Sequence, residues 1–298
     1  MTLRHFSLLT AAALVLVACA TAGAAQSRAP EGVRTSMLVS TTWLAAHGTD
    51  PRTVVLHVSS NRDEYNAAHI PGARFLDLGR IIATTPPGSE LPPADDIRKS
   101  FEAVGVSDDT RVILYTPDAP YIAARAWFTL NAIGHGDHAA LLDGGMEQWL
   151  KEGKPLSTDA VAAAPGTLTV HSRPEVMTLY DEVKRLSASD GVALIDARPM
   201  YRYRAGHLPG ASPLYWEHML VSLDQPVLRP PAELKTLFAK AGARQGTPSV
   251  AYCDAGMQAA FDYFVARYLG LDVRLYDGSF NEWRGQKKEP VVRGDARR

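Results

Sequence analysis

The chain is short of cysteine: Cys19 and Cys253 are all it has in 298 residues. Two cysteines cannot supply a zinc ribbon or a disulfide framework, and the 9 histidines are too scattered for a metal site. Neither a metal nor a cofactor is therefore expected. An excess of charge of one sign is also lacking. With 31 Lys plus Arg against 32 Asp plus Glu, there is no basic face of the kind nucleic acid needs. Beyond the first 25 residues no apolar run is long enough to span a bilayer. Proline and glycine are scattered as punctuation, with no low-complexity tract, which leaves an ordinary globular composition.

Residues 1–25 read as a secretory signal peptide, with Arg4 and His5, an apolar stretch over residues 6–18, and then small residues. Two exits from it stay open. Ala22, Gly23 and Ala24 form a small-x-small cleavage site, whereas Leu16, Val17, Ala18 and Cys19 resemble a lipobox in which Cys19 would be acylated and hold the chain to a membrane. Either exit implies the periplasm or cell envelope. In an oxidising compartment Cys253 then has no internal disulfide partner, so its thiol is either buried and inert or kept for its reactivity.

Roughly 270 residues remain, comfortable for two domains, and the sequence repeats itself across them. His69, Ile70, Pro71, Gly72, Ala73 return as His207, Leu208, Pro209, Gly210, Ala211. Leu141, Leu142, Asp143, Gly144, Gly145, with Trp149, return as Leu275, Tyr276, Asp277, Gly278, Ser279, with Trp283. Between these landmarks the apolar runs 111–115 and 249–252 hold the same relative place. Matched landmarks in one order and at nearly constant separation indicate tandem duplication of a unit of about 120 residues. The expected units are 36–152 and 174–290, joined by a Pro-, Ala- and Gly-rich linker over 153–173.

Within the second unit, residues 192–196, 249–252 and 273–276 are compact apolar runs of the sort buried parallel strands show. Residues 232–241 and 259–269 carry apolar side chains at helical spacing, with Phe261, Phe264, Val265 and Tyr268 on one broad face. Alternating strands and helices imply an α/β fold in which each unit is a mostly parallel sheet flanked by helices. Such sheets place ligands beyond the carboxyl ends of their strands. Cys253 stands at such an end, and Asp254, Ala255, Gly256, Met257 and Gln258 lead from it into a helix. Their N–H groups and the helix N-terminus are expected to lower the thiol pKa, making Cys253 the catalytic nucleophile.

The repeated His-Ile/Leu-Pro-Gly-Ala turn, the cysteine-headed loop between strand and helix, and the Asp-Gly-Gly/Ser element before tryptophan together resemble the rhodanese family of sulfurtransferases, in its tandem thiosulfate and 3-mercaptopyruvate form. The resemblance covers nearly all of the chain after the leader. It implies that Cys253 takes a sulfane sulfur from 3-mercaptopyruvate or thiosulfate as a persulfide and passes it to a thiophilic acceptor such as cyanide or a thiol. It also implies that the first unit, where Thr116 stands in the cysteine's place before Pro117, Asp118, Ala119 and Pro120, shapes the site without carrying sulfur. Arg202 with Tyr203 matches the family's donor-binding arginine. His69 matches a first-domain histidine that faces the site in mercaptopyruvate enzymes, although a turn histidine before proline and glycine is more often structural. Asp277 and Ser279 match a short loop near the cysteine and are read either as substrate contacts or as a helix cap.

The loop departs from the family in two respects, one being that no hydroxyl stands where mercaptopyruvate-type loops carry Ser or Thr. Acidic Asp254 follows the cysteine where thiosulfate-type loops often carry basic residues and mercaptopyruvate-type loops glycine. Facing inward, it would raise the thiol pKa and repel an anionic donor. Arg198 and Arg204 are read as an ion-paired or solvated face. A cysteine phosphatase would need arginine six positions after the cysteine, where Ala259 stands. A degenerate rhodanese pair serving as a binding or sulfur-carrier module is the alternative to an enzyme.

Overall fold

A computed structural model describes residues 32–83 and 90–297; the signal peptide expected over 1–25, with Cys19, lies outside the described residues. The first half contains β1 (Leu38–Val39), α1 (Thr41–His47), β2 (Thr53–Ser59), α2 (Arg62–Ala67), β3 (Arg74–Asp77), α3 (Ala94–Glu102), β4 (Arg111–Tyr115), α4 (Tyr121–Ala132), β5 (Ala139–Leu142) and α5 (Gly145–Lys151). The second contains β6 (Met177–Thr178), α6 (Tyr180–Ser187), β7 (Ala193–Asp196), α7 (Met200–Ala205), β8 (Ala211–Pro213), α8 (Pro231–Lys240), β9 (Ser249–Tyr252), α9 (Met257–Tyr268) and β10 (Val273–Tyr276). A π-helical segment, Asn281–Gln286, follows.

The strand orders are β1-β5-β4-β2-β3 and β6-β10-β9-β7-β8, the same permutation twice. Every ladder pairing is parallel. The expected α/β architecture of two parallel sheets flanked by helices is what the structure shows. The central strands β4 and β9 read as short apolar runs because residues on both faces are covered; all four residues of β9 are buried.

Helix α9 departs from the single apolar face expected of it. Nine of its residues are buried, as are ten in α4. The reason is that each lies between its own sheet and the other helix. Trp127 meets Phe264 edge-on at 5.1 Å, Phe128 meets Tyr263 at 5.0 Å, and Asn131 Nδ2 donates to the Tyr263 hydroxyl at 2.9 Å. Each aromatic pair adds about 0.5–1.5 kcal/mol beyond area burial. One apolar cluster consequently runs through both halves and includes Cys253. Segment 153–173 is bound along the first half: Gly166 N–H donates to Glu102 O, Leu168 N–H to Glu102 Oε1 and Thr169 N–H to Asp108 Oδ1.

Candidate active site at Cys253

Strand β9 ends at Tyr252, and Cys253 follows it, 2% exposed, in the loop that turns into α9. Gly256 turns the chain with φ +77°, and a Cβ there would stand 2.4 Å from Asp277 Oδ1, so the tight approach requires glycine. The turn aims the N–H groups of Ala255, Gln258 and Ala259 at the sulfur, each favouring its anionic form. Ser279 holds the loop from outside. Its hydroxyl accepts from Cys253 N–H at 3.2 Å and from Gly256 N–H at 3.1 Å, and donates to Tyr276 O at 2.7 Å. To do so it adopts φ +54°, a conformation the corresponding Gly145 holds at +56° without steric cost.

Electrostatics correct one expectation. Burial pushes the Cys253 thiol up from its ordinary value, the amide hydrogen bonds work against that rise, and the Asp254 carboxylate adds to it. Desolvation outweighs the amides, and the free site favours a neutral thiol.

Asp254 does not point freely at the sulfur. Its Oδ2 accepts from Arg202 at 2.6 Å and its Oδ1 from Arg198 at 3.4 Å. Arg198 is a framework residue. It is 2% exposed, makes a two-pronged contact with Asp196, donates to Gly206 O at 2.8 Å, and lies 4.0 Å over the Phe280 ring. Arg202 is half exposed, and its only other described side-chain contacts are with Tyr201. Arg204 pairs with Asp295 at the surface.

Three residues at the site come from positions that sequence reasoning passed over. Arg125, on α4 of the first half and fully buried, reaches across to Asp277 at 2.5 and 3.1 Å and to Gly256 O at 3.4 Å. A lone arginine in a run of Ala, Trp, Phe and Leu was a legible sign of a buried charge needing a partner. Asp277 Oδ2 also accepts from Leu91 N–H at 2.9 Å, so Asp277 ties the Cys253 loop to the first half. Tyr121 opens α4, and its phenol is held protonated by burial, by Asp118 and by Cys253. Trp216 meets it edge-on at 5.2 Å.

Asp254, Ala255, Gly256, Met257, Gln258, Asp277, Ser279 and Arg202 thus gather around or behind Cys253. His69 is placed differently. Its Nδ1 contacts Tyr65 O at 2.8 Å, its ring stacks on Tyr65 at 4.0 Å, and its backbone pairs with Ser157. His207 repeats the arrangement with Tyr203, at 2.9 and 3.7 Å, and with Val292. The same contacts in both halves describe a duplicated turn.

The chain matches the rhodanese-like domain family twice, over residues 40–152 and 179–286. It belongs to that family. This tandem rhodanese is 31% identical over 282 residues to the sulfur carrier protein TtuD of Thermus thermophilus, covering 87% of this chain and 97% of that protein. It is 32% identical over 285 residues to a probable 3-mercaptopyruvate sulfurtransferase of Pseudomonas aeruginosa, covering 87% and 99%. The crystal structure of a 3-mercaptopyruvate sulfotransferase from Escherichia coli superposes with a TM-score of 0.73 at 28% identity, covering 83% of this rhodanese and 99% of that chain. The rhodanese described here is accordingly a sulfurtransferase by family.

Proposed function

We propose that Cys253 carries a sulfane sulfur from a small anionic donor, 3-mercaptopyruvate or thiosulfate, to a thiophilic acceptor such as cyanide or a thiol. The observation that carries this reading is the set of three N–H groups, from Ala255, Gln258 and Ala259, directed at a buried sulfur at the head of α9. In the first half-reaction Sγ attacks the donor sulfur and an S–S bond forms. With mercaptopyruvate a C–S bond breaks and the cysteine proton ends on carbon as pyruvate leaves; with thiosulfate an S–S bond breaks and sulfite leaves. In the second, the acceptor attacks the terminal sulfur, the S–S bond breaks and the Cys253 sulfur is released. A site that favours the neutral thiol suits a donor whose leaving group takes up the proton, which supports mercaptopyruvate over thiosulfate.

Donor oxygens would be met by Arg202 once Asp254 gives way, since a guanidinium fork fits a carboxylate or sulfonate through paired hydrogen bonds. The first half supplies Arg125 and Tyr121 as framework. The leader read from residues 1–25 extends the proposal to a site of action in the periplasm or cell envelope.

Thiocyanate formation from each donor in the presence of cyanide tests the reading. Wild type is expected to turn over and Cys253→Ser to be inactive; turnover by the serine variant would exclude the mechanism. A carrier role, the word in the Thermus relative's name, is the second reading, favoured by the Arg202–Asp254 pair that occupies the anion position. A carrier would load sulfur but turn over poorly with cyanide.

A further inference from the structure

The first half keeps a site of its own. Thr116 holds the place of Cys253, and its Oγ1 accepts from Asp118 N–H at 3.2 Å, as the sulfur does from Ala255 N–H. This copy has no thiol at that place. Pro117 and Pro120 bring no N–H to the loop, and Gly145 has no hydroxyl to brace it. What remains is a cavity of about 190 Å³ over residues 116–120, walled by Leu142 and Gly144 and roofed by Trp216, Leu220, Leu223 and Pro226 of the second half.

The roof is fastened. Leu220 pairs with Leu228, Leu228 N–H donates to Asp143 Oδ1 at 2.9 Å, and Lys151 Nζ donates to Asp224 O at 3.0 Å. Among the described residues that line the cavity there is no Lys, Arg or His, and the charged ones are Asp118 and Glu147. Partial desolvation at the rim and the neighbouring Glu64 both disfavour ionisation of Asp118, an effect that a bound cation would offset. The lining is otherwise mostly apolar with aromatic surface from Trp216, which suits a cation carrying hydrocarbon.

We infer that this cavity is a second ligand site, separate from the Cys253 centre, that takes a small organic cation of the alkylamine or alkylammonium class and excludes anions. Trp216 links it to the catalytic side, since it also meets Tyr121 and, at 6.2 Å, Phe261 of α9.

The test is calorimetric titration of the full chain with propylammonium chloride and, separately, with sodium propionate. Propylammonium is expected to bind saturably, more weakly as salt rises, and propionate to give no saturable heat. Asp118→Asn with Glu147→Gln, both at exposed positions, is expected to weaken the cation about fivefold or more, two rim carboxylates being lost. Leu223→Trp, which fills the mouth from an exposed position, is expected to abolish binding, and Cys253→Ser to leave it unchanged. Equal binding of propionate, an unaffected double variant of unchanged melting temperature, loss in Cys253→Ser, or no heat from the cation would each overturn the assignment.

Discussion

Arg202 donates to Asp254 across 2.6 Å, so the arginine matched to the donor's anion already holds an anion from the catalytic loop. Under the proposed function an anionic donor and Asp254 would compete for one guanidinium. Asp254→Asn is expected to lower KM for an anionic donor about two- to fivefold, the range of a half-exposed ion pair, with the gain shrinking at high salt. Arg202→Ala is expected to raise KM, and by a larger factor in the Asp254→Asn background, where the guanidinium is free for the donor. Steady-state kinetics at two ionic strengths measure this; an unchanged KM in Asp254→Asn would show that the pair does not guard the site.

Ser279 separates strain from bonding. Ser279→Ala keeps the left-handed backbone and removes the acceptor of two buried N–H groups, so a loss of about 1–3 kcal/mol is expected together with most activity. Ser279→Gly relieves the positive φ and should stand about 1 kcal/mol above the alanine variant, yet be equally inactive. Denaturant melts with parallel assays distinguish the two contributions. Equal stabilities would mean that the φ of +54° carries no strain.

The acidity of Cys253 gives a signed pH dependence. Because burial raises its pKa, alkylation by iodoacetamide, followed by intact mass, is expected to inflect above the ordinary thiol value. Asp254→Asn should move the inflection down. A raised folded-state pKa also means that the thiol's contribution to stability is fully present below the unfolded value and is lost as pH rises through the folded one. Wild type should therefore lose stability relative to Cys253→Ala on the alkaline side, while in acid the difference between the two stays constant with pH.

Arg125 and Asp277 form a buried pair between the two halves, with Arg125 fully buried. Arg125→Met leaves a carboxylate without its cation and is expected to cost about 3–5 kcal/mol. Asp277→Leu in the same chain should recover part of that, measured by a double-mutant cycle in urea. A cost below the range of a surface pair would place the arginine in water.

The duplicated fold was legible because landmark turns recur in order, and the strands at 111–115, 249–252 and 273–276 coincide with β4, β9 and β10. The Cys253 loop was legible from its place between strand and helix. The sign of the cysteine's pKa was not. It depends on how far the folded chain buries the thiol, and burial is the largest cause of the rise. Arg125 meets Asp277 from 152 residues away, a pairing no local pattern encodes. Likewise the double burial of α9 follows from its contact with α4, so its sequence shows one face where the structure uses two.

The measurement that bears most directly on the central claim is intact-mass spectrometry of the folded protein and its Cys253→Ser variant after separate incubation with 3-mercaptopyruvate and with thiosulfate. The account predicts a gain of one sulfur atom with at least one donor, present only with Cys253, removed by cyanide, and greater with mercaptopyruvate. No adduct from either donor, on protein whose Cys253 alkylates, would contradict it.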